Sequence, residues 1–293
     1  MDKAWVDVSS PTKEEVDSLM LSYNIDPSIA RDLLAPTPKQ EVLSSDGFVY
    51  MVLHIPVFSH SKYEVIEQEI DCVITSENLI TVRYDSIDAL HYFAKQIEVE
   101  EILNKTSVTH PLFGMTKEIY KFLFDEISFM DGYLREIEQK IFAGQEKEMV
   151  FAISGASRNL LSFRRMLGPQ MLVWQSLKDE AHEKFGQEFV SGIHPIISEL
   201  NRIMKSVDGL SEMINELRET NNSLLSTKQN EIVQTLTILA FITVPFAIIS
   251  QIFGMATLST PLIGLRYDFW IVMGIMLLTA LIMYAYFRLK KWL

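Results

Sequence analysis

Stepping three and four residues at a time from Asn230 gathers Val233, Thr237, Ala240, Val244, Ala247 and Gln251 on one helical face, with Gln234 on the neighbouring line. Two amides, a hydroxyl and several small side chains are an unusual set inside an apolar run. Amides arranged in a ring can hold a divalent cation through its own water shell. Stripping such an ion bare would need hard carboxylate oxygens, and this stripe carries none. Val244 or Leu236, repeated around an axis, would form an apolar constriction that closes by dewetting. The same small and polar residues would also serve as a helix-pairing face, with close approach and hydrogen-bonded glue. The residues alone leave both readings open, and a pore wall would require several copies around a rotation axis.

The elements that must position this stripe are two apolar runs, Ile232–Phe253 and Phe269–Phe287. Each has about 20 residues, enough at about 1.5 Å per residue to cross a hydrocarbon core of about 30 Å. Neither contains a charged side chain. Lys228 precedes the first run and Arg288, Lys290 and Lys291 follow the second, whereas the joining loop carries only Arg266. The positive-inside rule therefore predicts a multi-pass protein of the cell membrane with both termini cytoplasmic.

The net charge of −12 divides into −14 up to Lys228 and +2 beyond it, where four basic residues face only Glu231 and Asp268. An acidic body of this kind argues against nucleic acid as a partner. It also predicts that the body stands off an anionic bilayer. The single cysteine, Cys72, excludes an internal disulfide and fits a reducing compartment. No apolar signal region opens the chain, and no Gly-x4-Gly-Lys-Ser/Thr loop is present. No nucleophile–base constellation points to an enzyme, and nothing calls for an organic cofactor.

Ahead of the spans the pattern is α/β and then helical. Trp5–Val8 alternates like a strand. Thr12 with Glu15 three residues later starts a helix as a capping box. Phe48–Pro56, Tyr63–Ile74 and Leu79–Tyr84 read as an antiparallel meander. Leu112–Phe142 carries apolar residues at helical spacing and ends at Ala143-Gly144, and another helix follows to about Lys178. After Gly192 and Pro195 the periodicity predicts one rod from Ile196 to Phe253, roughly 85 Å long. The expected domains are residues 1–110 (α/β, cytosolic), 111–229 (long-helix funnel and stalk) and 230–293 (two spans, outer loop 254–268, basic tail).

Gln229-Asn230-Glu231, Leu236-Thr237, Pro245, Phe253-Gly254-Met255 and the ending Phe287-Arg288-Leu289-Lys290-Lys291-Trp292-Leu293 together resemble the CorA family of divalent-cation (magnesium) channels and transporters. Ile25-Asp26, Ala30-Arg31-Asp32-Leu33-Leu34, Pro38-Lys39 and Tyr50 extend the resemblance over nearly the whole chain. It implies a funnel-shaped homopentamer: an α/β cytosolic domain with long stalk helices and two transmembrane helices per copy, embedded in the lipid bilayer. It also implies Mg²⁺ as cargo, with Co²⁺ and Ni²⁺ as further permeants, and a basic collar of Arg288, Lys290 and Lys291. The filter implied is Gly254-Met255-Ala256. The family signature there is Gly-Met-Asn, so an impaired filter is expected, because the Ala256 methyl group neither donates nor accepts hydrogen bonds. The resemblance places a regulatory Mg²⁺ at Asp32, paired across a subunit boundary. An ungapped count puts the second ligand at Pro195, beside His194, which is a poor match for Mg²⁺. A zinc-transporting or proton-coupled relative and a non-conducting membrane scaffold are the alternatives. Scattered histidines and a lone cysteine give the zinc reading no tract of its own.

Overall fold

The computed structural model describes residues 5–45, 47–59, 63–76, 78–102, 110–255, 264 and 266–290. Ala256 and Lys291 of the expected site lie outside the described residues. The chain divides into two compact units, Met1–Glu219 and Thr220–Leu293.

The first unit begins with β1 (Trp5–Ser9), α1 (Lys13–Tyr23), α2 (Pro27–Asp32), β2 (Val42–Ser45), β3 (Phe48–Ser59), β4 (Glu64–Ile74) and β5 (Leu79–Arg83). The strands form one sheet in the order β1-β5-β4-β3-β2. The meander β3–β4–β5 is antiparallel as expected, and β3 is buried along nearly its whole length. Helix α1 opens with the Thr12–Glu15 capping box, both reciprocal bonds being present. Two features go beyond the sequence reading. The four-residue β2 adds an antiparallel edge to β3, and β1 joins β5 in parallel at the far side. The β1 pairing is fixed by side chains: Trp5 Nε1 donates to Thr81 Oγ1 at 3.0 Å, Thr81 donates to Asp7 at 2.8 Å, and Arg83 Nε meets Asp7 at 3.0 Å.

On one face of the sheet Tyr50, Val52, Val73, Ile80 and Val82 pack under Val16, Ile25, Ile29 and Leu33 of the α1–α2 region. Then follow α3 (Asp88–Ile102), α4 (Pro111–Phe142), α5 (Glu146–Lys184) and the start of α6 (Gly186–Gly254). Helix α5 packs along β3 and α4. A buried polar chain stitches these elements together. Trp174 Nε1 donates to Tyr120 Oη at 2.9 Å, Tyr120 donates to Gln170 Oε1 at 3.2 Å, and the Gln170 amide donates to the His54 carbonyl at 2.8 Å.

In the first part of the expected rod, Ile196, Leu200, Ile203, Val207, Leu210, Ile214 and Leu217 mark a buried apolar stripe on α6. The helix begins earlier than the sequence suggested, because the break falls at Gly186 (φ +83°) and not at Pro195. Near its start a Cβ on Gly192 would run into the Phe113 ring of α4, so a larger residue there would require that ring to shift. The second unit holds the remainder of α6 and α7 (Asp268–Leu289).

Candidate functional site

Helix α6 is unbroken for 69 residues, about 100 Å, so residues of both units share one helix. Its terminal part and α7 are both long and apolar enough to cross a membrane, and their apolar windows are unburied within the chain. Polar side chains here must meet acceptors locally or face something other than lipid. The hydroxyls take the local route. Thr235, Thr237 and Thr243 donate to the carbonyls of Glu231, Val233 and Leu239 at 2.7–2.9 Å. Thr279 does the same to Ile275 in α7 at 2.9 Å. Pro245 has no N–H, so the Phe241 carbonyl loses its helical donor one turn below.

The residues from Asn230 to Gln251 all lie in one helix. Asn230, Val233, Leu236, Ala240, Val244, Ala247 and Gln251 are exposed, and Thr237 is half-buried. Val244 and Leu236 each leave more than half of their surface uncovered, which suits side chains awaiting another surface. Where α6 and α7 touch, Phe241 meets Phe287 edge-on with ring centroids 6.5 Å apart. Phe287 is the buried residue of α7; the sequence reading named it only as the end of the second run and the start of the family-like ending.

Gly254 is the last residue of α6 and Met255 follows it, exposed. Before α7 the Asp268 carboxylate accepts from the backbone N–H groups of Gly264 (3.3 Å) and Phe269 (2.7 Å), which fits an anion at a helix start. At the other end Arg288 and Lys290 are exposed, and the Lys290 N–H caps α7 through the Tyr286 carbonyl.

Asp32 belongs to the first unit, in the last turn of α2, half-buried, with its carbonyl 3.3 Å from the Tyr84 hydroxyl. Among the described residues no group of three or more His, Cys, Asp or Glu side chains is placed to hold a metal ion. His194 and Pro195 lie exposed on α6, and proline offers no side-chain ligand. At the position that the ungapped count gives, the chain therefore offers no second carboxylate to pair with Asp32.

The sequence reading also missed a polar cluster beneath α2. Glu67, Glu69 and Asp71 fall at every second position of β4 and so share one face, with His54 opposite Glu69 on β3. Asp71 is fully buried and receives the Tyr84 hydroxyl at 2.7 Å. Burial pushes its carboxyl up to about 8. The alternation of acids in a β-branched run was the available signal.

The family model for CorA-like Mg²⁺ transporter proteins matches residues 2–291. The cobalt/magnesium transport protein CorA of Thermotoga maritima is 22% identical over 291 residues, covering 99% of this chain and 83% of that protein. Its counterpart from Methanocaldococcus jannaschii, also called a cobalt/magnesium transport protein, is 24% identical over 297 residues, covering 99% and 91%. The solved complete structure of the CorA magnesium transporter from M. jannaschii superposes with a TM-score of 0.86 at 22% identity, over 99% of this chain and 91% of that one. At that identity the superposition speaks for the fold.

Proposed function

This chain belongs to the CorA-like Mg²⁺ transporter family, and we propose that it is a homopentameric channel that passes divalent cations down their electrochemical gradient, Mg²⁺ first, with Co²⁺ and Ni²⁺ as further permeants. The observation that carries the reading is the continuity of α6 from a buried apolar stripe into an apolar span with its small and polar residues exposed. Five copies turning Asn230, Val233, Thr237, Ala240, Val244, Ala247 and Gln251 inward give a wall that water wets at the amides. Leu236 and Val244 narrow it with apolar rings. The stripe has no carboxylate, so the ion passes with much of its water in place. A membrane potential of 100 mV supplies about 4.6 kcal/mol to a divalent ion, twice about 2.3 per charge, and no fuel domain is required.

In this reading Gly254, Met255 and Ala256 form the outer filter. Backbone carbonyls remain as ligands, but Ala256 removes the side-chain amide and with it much of the selectivity. Residues 1–110, 111–229 and 230–293 act as α/β domain, funnel and pore domain. Both termini are cytoplasmic in the cell membrane, where Arg288, Lys290 and Lys291 form a collar at the inner face. Asp32 matches the family's regulatory position, but Pro195 supplies no second ligand, so no Mg²⁺-gated step is drawn through it.

Flux into liposomes tests the proposal with Mg²⁺, Zn²⁺ and Ni²⁺ offered separately and in competition. Asn at position 256 (Ala256→Asn) should raise selectivity for Mg²⁺ by about tenfold, worth about 1.4 kcal/mol. Equal flux and equal competition in both proteins would remove the filter from the mechanism. Zn²⁺ transport driven by a proton gradient would favour the proton-coupled relative. Silence in both proteins would leave a membrane scaffold.

A further inference from the structure

His54 lies in the middle of β3 with 5% of its surface exposed, and oxygen acceptors face both ring nitrogens. Nδ1 stands 2.8 Å from Glu67 Oε1. Nε2 stands 3.1 Å from the Thr37 carbonyl and 3.3 Å from Glu69 Oε2. Carbonyl and ionised carboxylate oxygens only accept hydrogen bonds. A neutral imidazole has a single donor, so one of its nitrogens would aim a lone pair at an oxygen. The imidazolium, with a proton on each nitrogen, satisfies both sides.

Thr37 is held by this pair at all three of its polar groups. Its N–H donates to Glu69 at 2.8 and 3.0 Å, its hydroxyl donates to Glu69 Oε1 at 3.1 Å, and its carbonyl faces His54. Thr37 in turn begins the stretch that becomes the edge strand. The Gln40 amide donates to the Met166 carbonyl of α5 at 2.7 Å, the Glu41 carbonyl accepts from Val52 N–H at 3.0 Å, and β2 then pairs with β3. A groove of about 870 Å³ lined by Lys39, Gln40, His54, Glu67, Arg165 and Met166 opens beside the ring and gives protons a route to bulk water.

We infer that His54, clamped between Glu67 and Glu69, is a proton-operated latch that fastens residues 37–45 to the sheet and lets them go when the imidazolium gives its proton to water. The departing proton leaves neutral imidazole against two acceptors and leaves buried Glu69 without its countercharge. Each change removes a reason for Thr37 to stay in place.

Other charges face this centre. Arg165 on α5 lies 3.8 Å from Glu67 Oε2, and Lys39 pairs with Glu41 at 3.2 Å on the near segment. Asp71 follows Glu69 on the same face of β4, and Tyr50, Tyr84 and Asp32 lie beyond it. Asp71 retains its proton at neutral pH and so adds no full charge there. The bond to Glu69 is the largest influence on His54 and lifts its pKa above the ordinary value, against the opposing effect of burial. A raised pKa means that the latch is closed below the ordinary histidine range and through the interval above it. It opens as pH rises through the native value. The latch needs no pore and stands apart from the transport reading.

The test is hydrogen exchange by mass spectrometry on the full chain in lipid nanodiscs between pH 6 and 9, corrected for the intrinsic pH dependence of exchange. Peptides from 37–45 should lose protection by about tenfold or more as pH rises, while peptides from α4 hold theirs. Glu67→Gln should shift the loss to lower pH, and in an Asp71→Asn background, which removes the neighbouring carboxyl that titrates near 8, His54→Gln should abolish its pH dependence. Nitrogen-15 shifts of labelled histidine should show His54 doubly protonated at pH 7. Constant protection of 37–45, or a neutral His54 at pH 7, would overturn the latch. Should His54→Gln fail to fold, an unmoved midpoint in Glu67→Gln overturns it equally.

Discussion

Polar side chains meet apolar surroundings in both units of this chain, and two such regions handle them in opposite ways. Under α2 the row Glu67, Glu69 and Asp71 is closed by groups of the same chain: His54, Thr37 and Tyr84. Along the apolar part of α6 the threonines close on their own helix, but Asn230 and Gln251 stand exposed beside Val244. In the first region each carboxylate finds a partner within one polypeptide, although Asp71 Oδ1 and the Tyr50 hydroxyl are left without a hydrogen bond. The second presents polar groups outward in a segment otherwise suited to lipid, and such groups are costly there unless water or another helix receives them. One folded chain thus turns its polar groups inward in one unit and outward in the other.

The largest effect should fall in the first unit, where α4, α5 and β3 are joined. Trp174 is fully buried and donates to Tyr120, which in turn donates to Gln170. Trp174→Ala leaves a cavity and removes the donor that holds Tyr120, and should cost about 3–5 kcal/mol. Denaturant unfolding of the whole protein in detergent, read by circular dichroism, measures it. A loss below about 1 kcal/mol would mean that the α4–α5–β3 stitching does not govern stability.

Asp71 gives a pH-dependent comparison within the same region. Burial holds its carboxyl up to about 8, well above the ordinary aspartate range. Between those values the native state keeps a proton that the unfolded chain has lost, so stability falls as pH rises toward 8. Asp71→Asn keeps the shape without the titration. It should be more stable at pH 8 by at least about 1.4 kcal/mol, the equivalent of one pKa unit. Its remaining slope above the ordinary histidine range belongs to His54. Parallel unfolding curves for the two proteins from pH 5 to 8 would refute this assignment.

In the open region, Val244→Asn should hydrate the apolar constriction and raise ion leak by about tenfold, worth about 1.4 kcal/mol of barrier. Planar-bilayer recording reads this directly. An unchanged conductance would count against Val244 as a dewetting ring and would sharpen the case for the pairing face.

These regions were not equally legible in the sequence. Strands β3, β4 and β5 announced themselves because β-branched and aromatic runs were separated by short polar turns. The Thr12–Glu15 box and the Ala143-Gly144 stop carried their own local chemistry. Strand β2 did not, since Val42-Leu43-Ser44-Ser45 is extended only by virtue of its pairing with β3. The parallel docking of β1 depends on Asp7, Thr81 and Arg83, residues far apart in sequence. The α6 stripe could be read because a single helix makes spacing equivalent to geometry. The His54 clamp could not, because only the β3–β4 register sets His54 opposite Glu69.

The finest comparison uses one residue type in both settings. Thr12 caps α1 by accepting from the Glu15 N–H at 3.3 Å, while Glu15 returns a bond to the Thr12 N–H at 2.8 Å. These bonds satisfy amides that the helix itself leaves without a partner, so Thr12→Ala should cost about 1 kcal/mol. Thr243 donates at 2.9 Å to the Leu239 carbonyl, one turn back in its own helix. That carbonyl already accepts from the helical N–H four residues on, so the hydroxyl adds a second bond to a group that is satisfied without it. Thr243→Val should therefore change stability by less than about 0.5 kcal/mol. A large loss at Thr243, measured on the same unfolding curves, would show that its hydroxyl serves a partner beyond its own helix, and the contrast between the closed and open regions would have to be redrawn there.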